Sequence, residues 1–242
     1  MTAPYPHLSK APIEEAVLEI RTRPRPDAGF EEIRELAASL RDRFPGESLI
    51  RQAEVVVNPA EQVLQTAQQG RDYGLLLKSA DGRTVVRLSL DNFAYSRLAP
   101  YTSWDEMFPT AFALWTQYMA KAEPQEVSRY AVRYINGLDL PAADLADYLT
   151  TPPVAPVPLI PTGFITRLLL QDTRRSCSAA LTQATAPAAP RDRLLLLVDI
   201  DVFREGTWPA ASLSADSFVP LHDLKNDIFF ASVTPPTIER YR

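Results

Sequence analysis

L-S-K-A-P-I-E-E-A-V-L-E-I-R, residues 8–21, is the stretch around which the rest of the chain has to be arranged. Pro12 has no backbone N–H, which suits the first position of a strand and not its interior. Beyond it Ala16, Leu18 and Ile20 point one way while Val17, Glu19 and Arg21 point the other, the period of two of a half-buried strand. A strand this early in a chain needs later segments to pair with.

Working outward, T-R-P-R-P-D turns the chain, and Phe30, Ile33, Leu36, Ala37, Leu40 and Phe44 then recur at helical spacing. The spacing predicts an amphipathic helix over 28–43, ended by Pro45-Gly46. Four strands are expected next, over 50–58, 62–69, 73–79 and 84–90, with Asp81-Gly82 as a hairpin turn and the last strand running on past Asp91-Asn92. Ser103 and Glu106 have the S-x-x-E spacing of a capping box and open a second helix. Pro109 inside it predicts a kink or a later start.

The best strand pattern of the chain is V-S-R-Y-A-V-R-Y-I-N, residues 127–136. Arg129, Ala131, Arg133 and Ile135 share one face; Tyr130, Val132 and Tyr134 take the other. A short helix is expected over 142–149. T-T-P-P-V-A-P-V-P-L-I-P-T-G, residues 150–163, is extended, Pro-rich and linker-like. Residues 164–171, 177–184 and 193–203 read as three more strands, the last apolar on both faces at its start, as a central strand is. A final helix is expected over 220–232, with Leu221, Leu224, Ile228 and Phe229 inward.

This order predicts an α+β fold: a curved antiparallel sheet packed on two or three long helices, pseudo-duplicated, with a TATA-binding-protein-like or helix-grip-like layout. It predicts one domain, 1–242, made of two rough halves, 1–125 and 126–242, with the Pro-rich connection at 150–163 inside the second. Fold likeness alone assigns no function.

With 46% apolar and 23% charged residues, the 242-residue chain can bury a sizeable core. Its net charge of −5 argues against a broad nucleic-acid footprint. A lone Cys177 excludes an internal disulfide and a four-ligand Cys/His zinc site. The start M-T-A-P-Y-P-H has neither the basic nor the apolar region of a signal peptide, and the apolar run 194–198 is far too short to span a bilayer. A soluble, cytoplasmic protein away from the membrane is expected.

Four stretches carry a resemblance: A-P-I-E-E-A-V-L-E-I-R at 11–21, L-D-N-F-A-Y-S-R-L-A-P-Y-T-S-W-D-E-M at 90–107, R-Y-I-N-G-L-D-L-P at 133–141, and L-H-D-L-K-N-D-I-F-F-A-S-V-T at 221–234. In this order they resemble an uncharacterised family of bacterial and archaeal proteins of about this length, named for its sporadic distribution. The resemblance implies full-length membership. It brings no established activity and no catalytic residues.

The chemistry is defined first by what is missing. There is no G-x-x-x-x-G-K-[ST], no G-x-G-x-x-G and no G-x-S-x-G, and eight glycines leave little material for a phosphate-cradling loop. No cofactor is expected. His7 and His222 are the only imidazoles, and both read as solvated. Asp199 and Asp201, at i and i+2, share a strand face with Glu205 beyond them. Such carboxylates can hold Mg²⁺ or move a proton, but salt bridging to strand arginines such as Arg87, Arg129, Arg133 and Arg167 accounts for them more simply. Arg129 and Arg133, with Asn136 at the strand end, form the other polar set, suited to a phosphate or carboxylate or to neutralising those acids. Tyr95, Tyr101 and Trp104 cluster where strand gives way to helix and read as the closing edge of the core.

The leading functional reading is a non-enzymatic binding or interaction module with a protein partner or self-association, in the setting of a mobile defence or toxin–antitoxin accessory. The runner-up is an enzyme or small-ligand-binding protein with an anion-recognising site in the sheet–helix groove, built from Arg129, Arg133, Asn136, Asp199 and Asp201. A deep pocket holding the arginines and a carboxylate would favour the runner-up.

Overall fold

The computed structural model describes residues 5–52, 55–58, 63–66, 71–141, 144–154, 163–185 and 193–242. In chain order the elements are β1 (Ile13–Arg23), α1 (Phe30–Ser39), β2 (Gly46–Gln52), β3 (Val55–Asn58), β4 (Val63–Thr66), β5 (Arg71–Lys78), β6 (Thr84–Ser89), β7 (Asn92–Leu98), α2 (Trp104–Ala122), β8 (Glu126–Pro141), β9 (Ile165–Asp172), β10 (Cys177–Thr185), β11 (Arg193–Pro209), α3 (Val219–Ser232) and α4 (Pro235–Glu239). Nine strands form one open antiparallel sheet in the order β2-β5-β6-β7-β1-β8-β11-β10-β9, and β3 pairs with β4 apart from it. The fold is α+β, with four helices among the described residues.

β1 is the middle strand. Leu18 faces Tyr95 of β7 on one side and Val132 of β8 on the other. Its alternation does what its sequence predicts: Ala16, Leu18 and Ile20 are fully buried, while Glu15, Val17 and Glu19 on the other face are partly covered. α1 covers β5 and β6, α2 lies against α1 and β7, and α3 covers β8, β10 and β11. Phe93 of β7 meets Trp115 and Tyr118 of α2, and Tyr130 of β8 meets Phe218 just before α3, so the helices share one face of the sheet. Each large side chain sealed there contributes about 1.5–3 kcal/mol relative to exposure. The opposite face carries the charged residues.

Local signals hold where the chemistry is local. Ser103 Oγ accepts the Glu106 N–H at 3.2 Å and starts α2, which runs on through Pro109 to Ala122. Gly82, at φ +71°, makes the turn between β5 and β6, a left-handed conformation that glycine adopts without steric cost. Other boundaries move. α1 ends at Ser39 rather than at 43, with Leu40 as its cap. β6 does not run on past Asp91; Ser89 Oγ donates to the Asp91 carboxylate at 3.0 Å, and the chain reverses into β7. β8 extends to Pro141 and β11 to Pro209, because they pair with each other along most of their length. In the 142–149 region the described residues hold only a 3-10 turn, Leu145–Asp147. The strand expected over 62–69 and much of the Pro-rich connection fall outside the described residues, the former except for β4. No helix among the described residues is long and apolar enough to cross a membrane.

Candidate functional site

Arg129 and Arg133 stand on the open face of β8, and Asp199, Asp201 and Glu205 on the same face of the neighbouring β11. Each arginine reaches past the residue opposite it. Arg133 forks onto Asp199, Nε to Oδ1 at 2.8 Å and Nη2 to Oδ2 at 2.6 Å. Arg129 lies over the Phe203 ring, 4.5 Å from its centre, and donates to Asp201 at 2.7 Å and to Glu19 of β1. Glu205 is 3.7 Å from its Nε. Burial pushes the Asp201 carboxyl up from its ordinary value, against the pull of Arg129. The Asp199 fork holds the Arg133 guanidinium above its already high value. Both guanidinium groups are therefore engaged, and acids outnumber bases around them. An incoming anion would have to displace a carboxylate.

Asn136 does not join this set. It is an even-numbered residue of β8 and lies on the helix-covered face, 3% exposed, donating to the Val198 carbonyl at 2.9 Å. It is not at the strand end, since β8 continues five residues further. Among the described residues no group of three or more His, Cys, Asp or Glu could hold a metal ion.

What Asn136 lines instead is a cavity of about 750 Å³ between the N-terminal segment, the approach to α2, and α3. Tyr101 forms one wall, backed by the fully buried Tyr134, ring edge to ring face, with their hydroxyls 3.0 Å apart. Trp104 forms another, stacked on His222 at 4.4 Å and on Phe108 at 4.4 Å. Tyr5 closes an end, flat on Phe230 at 4.4 Å, with its hydroxyl donating to Asp227 at 2.8 Å. His222, expected to be solvated, is half-buried under Trp104. Tyr95 is a core residue, and Tyr101 and Trp104 pack against the core edge as expected while also walling the cavity.

Lys225 projects from α3 into this space. It is 7% exposed, its Nζ lies 3.9 Å from the centre of the Tyr134 ring, and it donates to Asn226 Oδ1 at 2.5 Å. No carboxylate pairs with it among the described residues. Burial alone brings its ammonium down from 10.5 to about 7. Burial, helped by the nearby Lys225, brings His222 down to about 3. Burial holds the phenols neutral, Tyr101 pushed up to about 12 and Tyr134 pushed well above its ordinary value. The cavity thus holds a neutral imidazole, one neutral phenol and an amine that loses its proton near neutral pH.

The signal for Lys225 was in the helix pattern. It sits four residues after Leu221 and three before Ile228, on the buried stripe of α3. A lysine on an apolar stripe is either wrongly placed or used. A second hollow, of about 310 Å³, lies over α1 and β5 and is lined by Glu31, Arg34, Glu35 and Arg41, with no buried polar group converging in it. No protein-family model matches the chain, and no curated protein matches it.

Proposed function

We propose that this chain is a small-molecule-binding protein whose site is the cavity under α3, and that it belongs to the sporadically distributed family its motifs resemble. The observation that carries the binding reading is Lys225: a nearly enclosed amine that no carboxylate pairs with among the described residues, at an aromatic-walled space of about 750 Å³. Such a space suits a molecule with an apolar body and one polar head, since pockets of this kind fix orientation with a few convergent polar groups. Asn136, His222 and the Tyr101 hydroxyl supply those groups. The open-face arginines do not make the anion site, because their partners already satisfy them. The sheet order supports a pseudo-duplicated, helix-grip-like or TATA-binding-protein-like layout: β7-β6-β5 follow outward from β1 as β11-β10-β9 follow from β8.

The test is thermal melting with four one-ring compounds that differ only in the head group: benzoate, benzylamine, benzyl alcohol and benzaldehyde. A ligand that binds only the folded chain raises its melting point. At least one should do so, and Trp104→Ala should remove the shift. A wild-type melting point unmoved by all four at millimolar concentration counts against the cavity.

A second reading has its own observation. β9 is an edge strand, and Ile165 and Leu169 on it are 75% and 76% exposed. An apolar sheet edge pairs readily with another strand, which supports a protein partner or self-association. If that edge associates, Leu169→Lys should lower the solution mass measured by light scattering at high concentration.

A further inference from the structure

We propose that the cavity takes a neutral aldehyde or ketone and that Lys225 condenses with it to an imine. The proposal deepens the small-molecule reading and rests on it. Three observations point to a carbonyl compound rather than an anion. First, Lys225 Nζ is set against the face of Tyr134 and donates to an uncharged oxygen of Asn226, and among the described residues no carboxylate pairs with it to hold the ammonium form. A lysine that binds anions is kept charged; one brought down toward neutrality by apolar surroundings is a nucleophile. Second, the rim carries acids. Asp105 and Asp223 are exposed at the cavity mouth, and Asp227 beside them is held by Arg175 at 2.7 Å. Arg175 also lines the cavity but is engaged by Asp227 and Asp172, so the rim's remaining charge is that of Asp105 and Asp223, which repels an entering anion and leaves a neutral molecule unaffected. Third, the walls are aromatic and the hydroxyl of Tyr101 stays protonated, so with Tyr134 donating to it from behind it can itself donate to a carbonyl-derived oxygen.

The step balances without an oxidant or reductant. The Nζ lone pair forms the new bond to the carbonyl carbon, and the C–O π pair moves to oxygen. One N–H proton transfers to that oxygen. The resulting hydroxyl then leaves with the second N–H proton as water, and the nitrogen pair closes the C=N bond. The excluded environment that suppresses the ammonium also slows the return of water to the imine.

The chain supplies its own controls, because its other lysines, Lys10, Lys78 and Lys121, are all exposed. The full chain is incubated at pH 7 with benzaldehyde and cyanoborohydride, which reduces the imine to a stable benzyl adduct, and the adducts are mapped by peptide mass spectrometry. Lys225 should be labelled at least tenfold faster than the three exposed lysines, and the preference should narrow at pH 10, where those too lose protons. 4-Carboxybenzaldehyde should label Lys225 more slowly than benzaldehyde. Equal labelling of all four lysines, or none at Lys225, overturns the imine. Faster labelling by the carboxylated aldehyde overturns the selection by rim acids. Lys225→Arg and Lys225→Met, each checked for folding by melting, should lose the rapid adduct. Benzyl alcohol separates the two levels: if it stabilises the chain while benzaldehyde leaves Lys225 unlabelled, the cavity binds and the imine chemistry is wrong. If neither acts, both readings fall.

Discussion

An ammonium group on Lys225 would sit 7% exposed against a tyrosine ring, and the fold bears that cost whenever the group is charged. The unfolded chain keeps this proton up to its ordinary 10.5, the folded chain only to about 7. Between those values unfolding takes up a proton, so stability rises with pH across the window from about 7 to about 10.5. At about 1.4 kcal/mol per pH unit the gain is on the order of 5 kcal/mol at most. The groups facing the amine are Tyr134 from β8 and His222 and Asn226 from α3; the acids lie out at the cavity rim. Lys225→Met should therefore melt higher than the wild type at pH 7, and the gap should close by pH 10; a gap independent of pH would mean the amine is not desolvated. His222 acts on the acid side: its folded value of about 3 lies below the ordinary 6.5, so its contribution is lost as pH falls through that interval. The open-face arginines make a contrast. Arg129 has 8% of its side chain exposed and Arg133 has 47%. Removing Arg129 leaves the largely covered Asp201 without its hydrogen-bond partner, while Glu19 keeps Arg21 and Asn92, so Arg129→Met should cost about 3 kcal/mol, near the range for breaking a buried pair. Arg133→Met should cost about 1 kcal/mol or less, the scale of a solvated pair. Urea unfolding of both variants checks the difference, and equal costs would sink it. The acid–base pairing of these two strands was legible from alternation, since residues two apart share a face. Asn136 obeys the same parity and so lies on the other face, which its listing beside the arginines as a strand-end residue overlooked. Lys225 was not singled out, because a lysine reads as solvent-facing until the stripe around it is counted.

At the scale of elements, β11 shows how far local sequence reaches. Its apolar start predicted a strand with neighbours on both sides, and it pairs with β8 and β10. Leu196 is 1% exposed on its helix-covered face. Leu196→Ala should lower stability by about 2–5 kcal/mol in urea unfolding, and a loss below about 1 kcal/mol would be inconsistent with that packing. β9 is the counterexample. Ile165, Leu168, Leu169 and Leu170 look like the residues of an interior strand, yet β9 is the last strand of the sheet and all four are exposed. Hydrophobicity reports a tendency to be covered; it does not report which segment does the covering. The same limit explains the strand lengths. β8 outran its expected end because Leu138 and Leu140 pair with Leu196 and Leu194, residues far away in the chain. Caps and the Asp81-Gly82 turn, whose partners are a few residues away, were readable.

The whole molecule is joined along β1 and β8. β1 is bonded to β7 on one edge and to β8 on the other, and β8 is bonded along most of its length to β11. A fragment ending at residue 150 keeps β8 but loses β11 and α3, exposing the backbone edge and the apolar face that held Leu138 and Leu140. Expressed alone, the 1–150 fragment should be insoluble or should bind a hydrophobic dye without a cooperative melt; a monomeric, cooperatively melting fragment would show that the two halves fold independently. The central position of β1 also has a consequence during synthesis. β7 is made before β8, and Arg23 at the end of β1 precedes Glu126 at the start of β8 by about 100 residues. At about 5–20 residues per second a ribosome takes on the order of 10 s to bridge that distance. Over that interval one edge of the finished sheet's middle strand lacks its partner, even once β7 has paired with the other edge, and the backbone amides there stay open to any chaperone waiting at the exit tunnel.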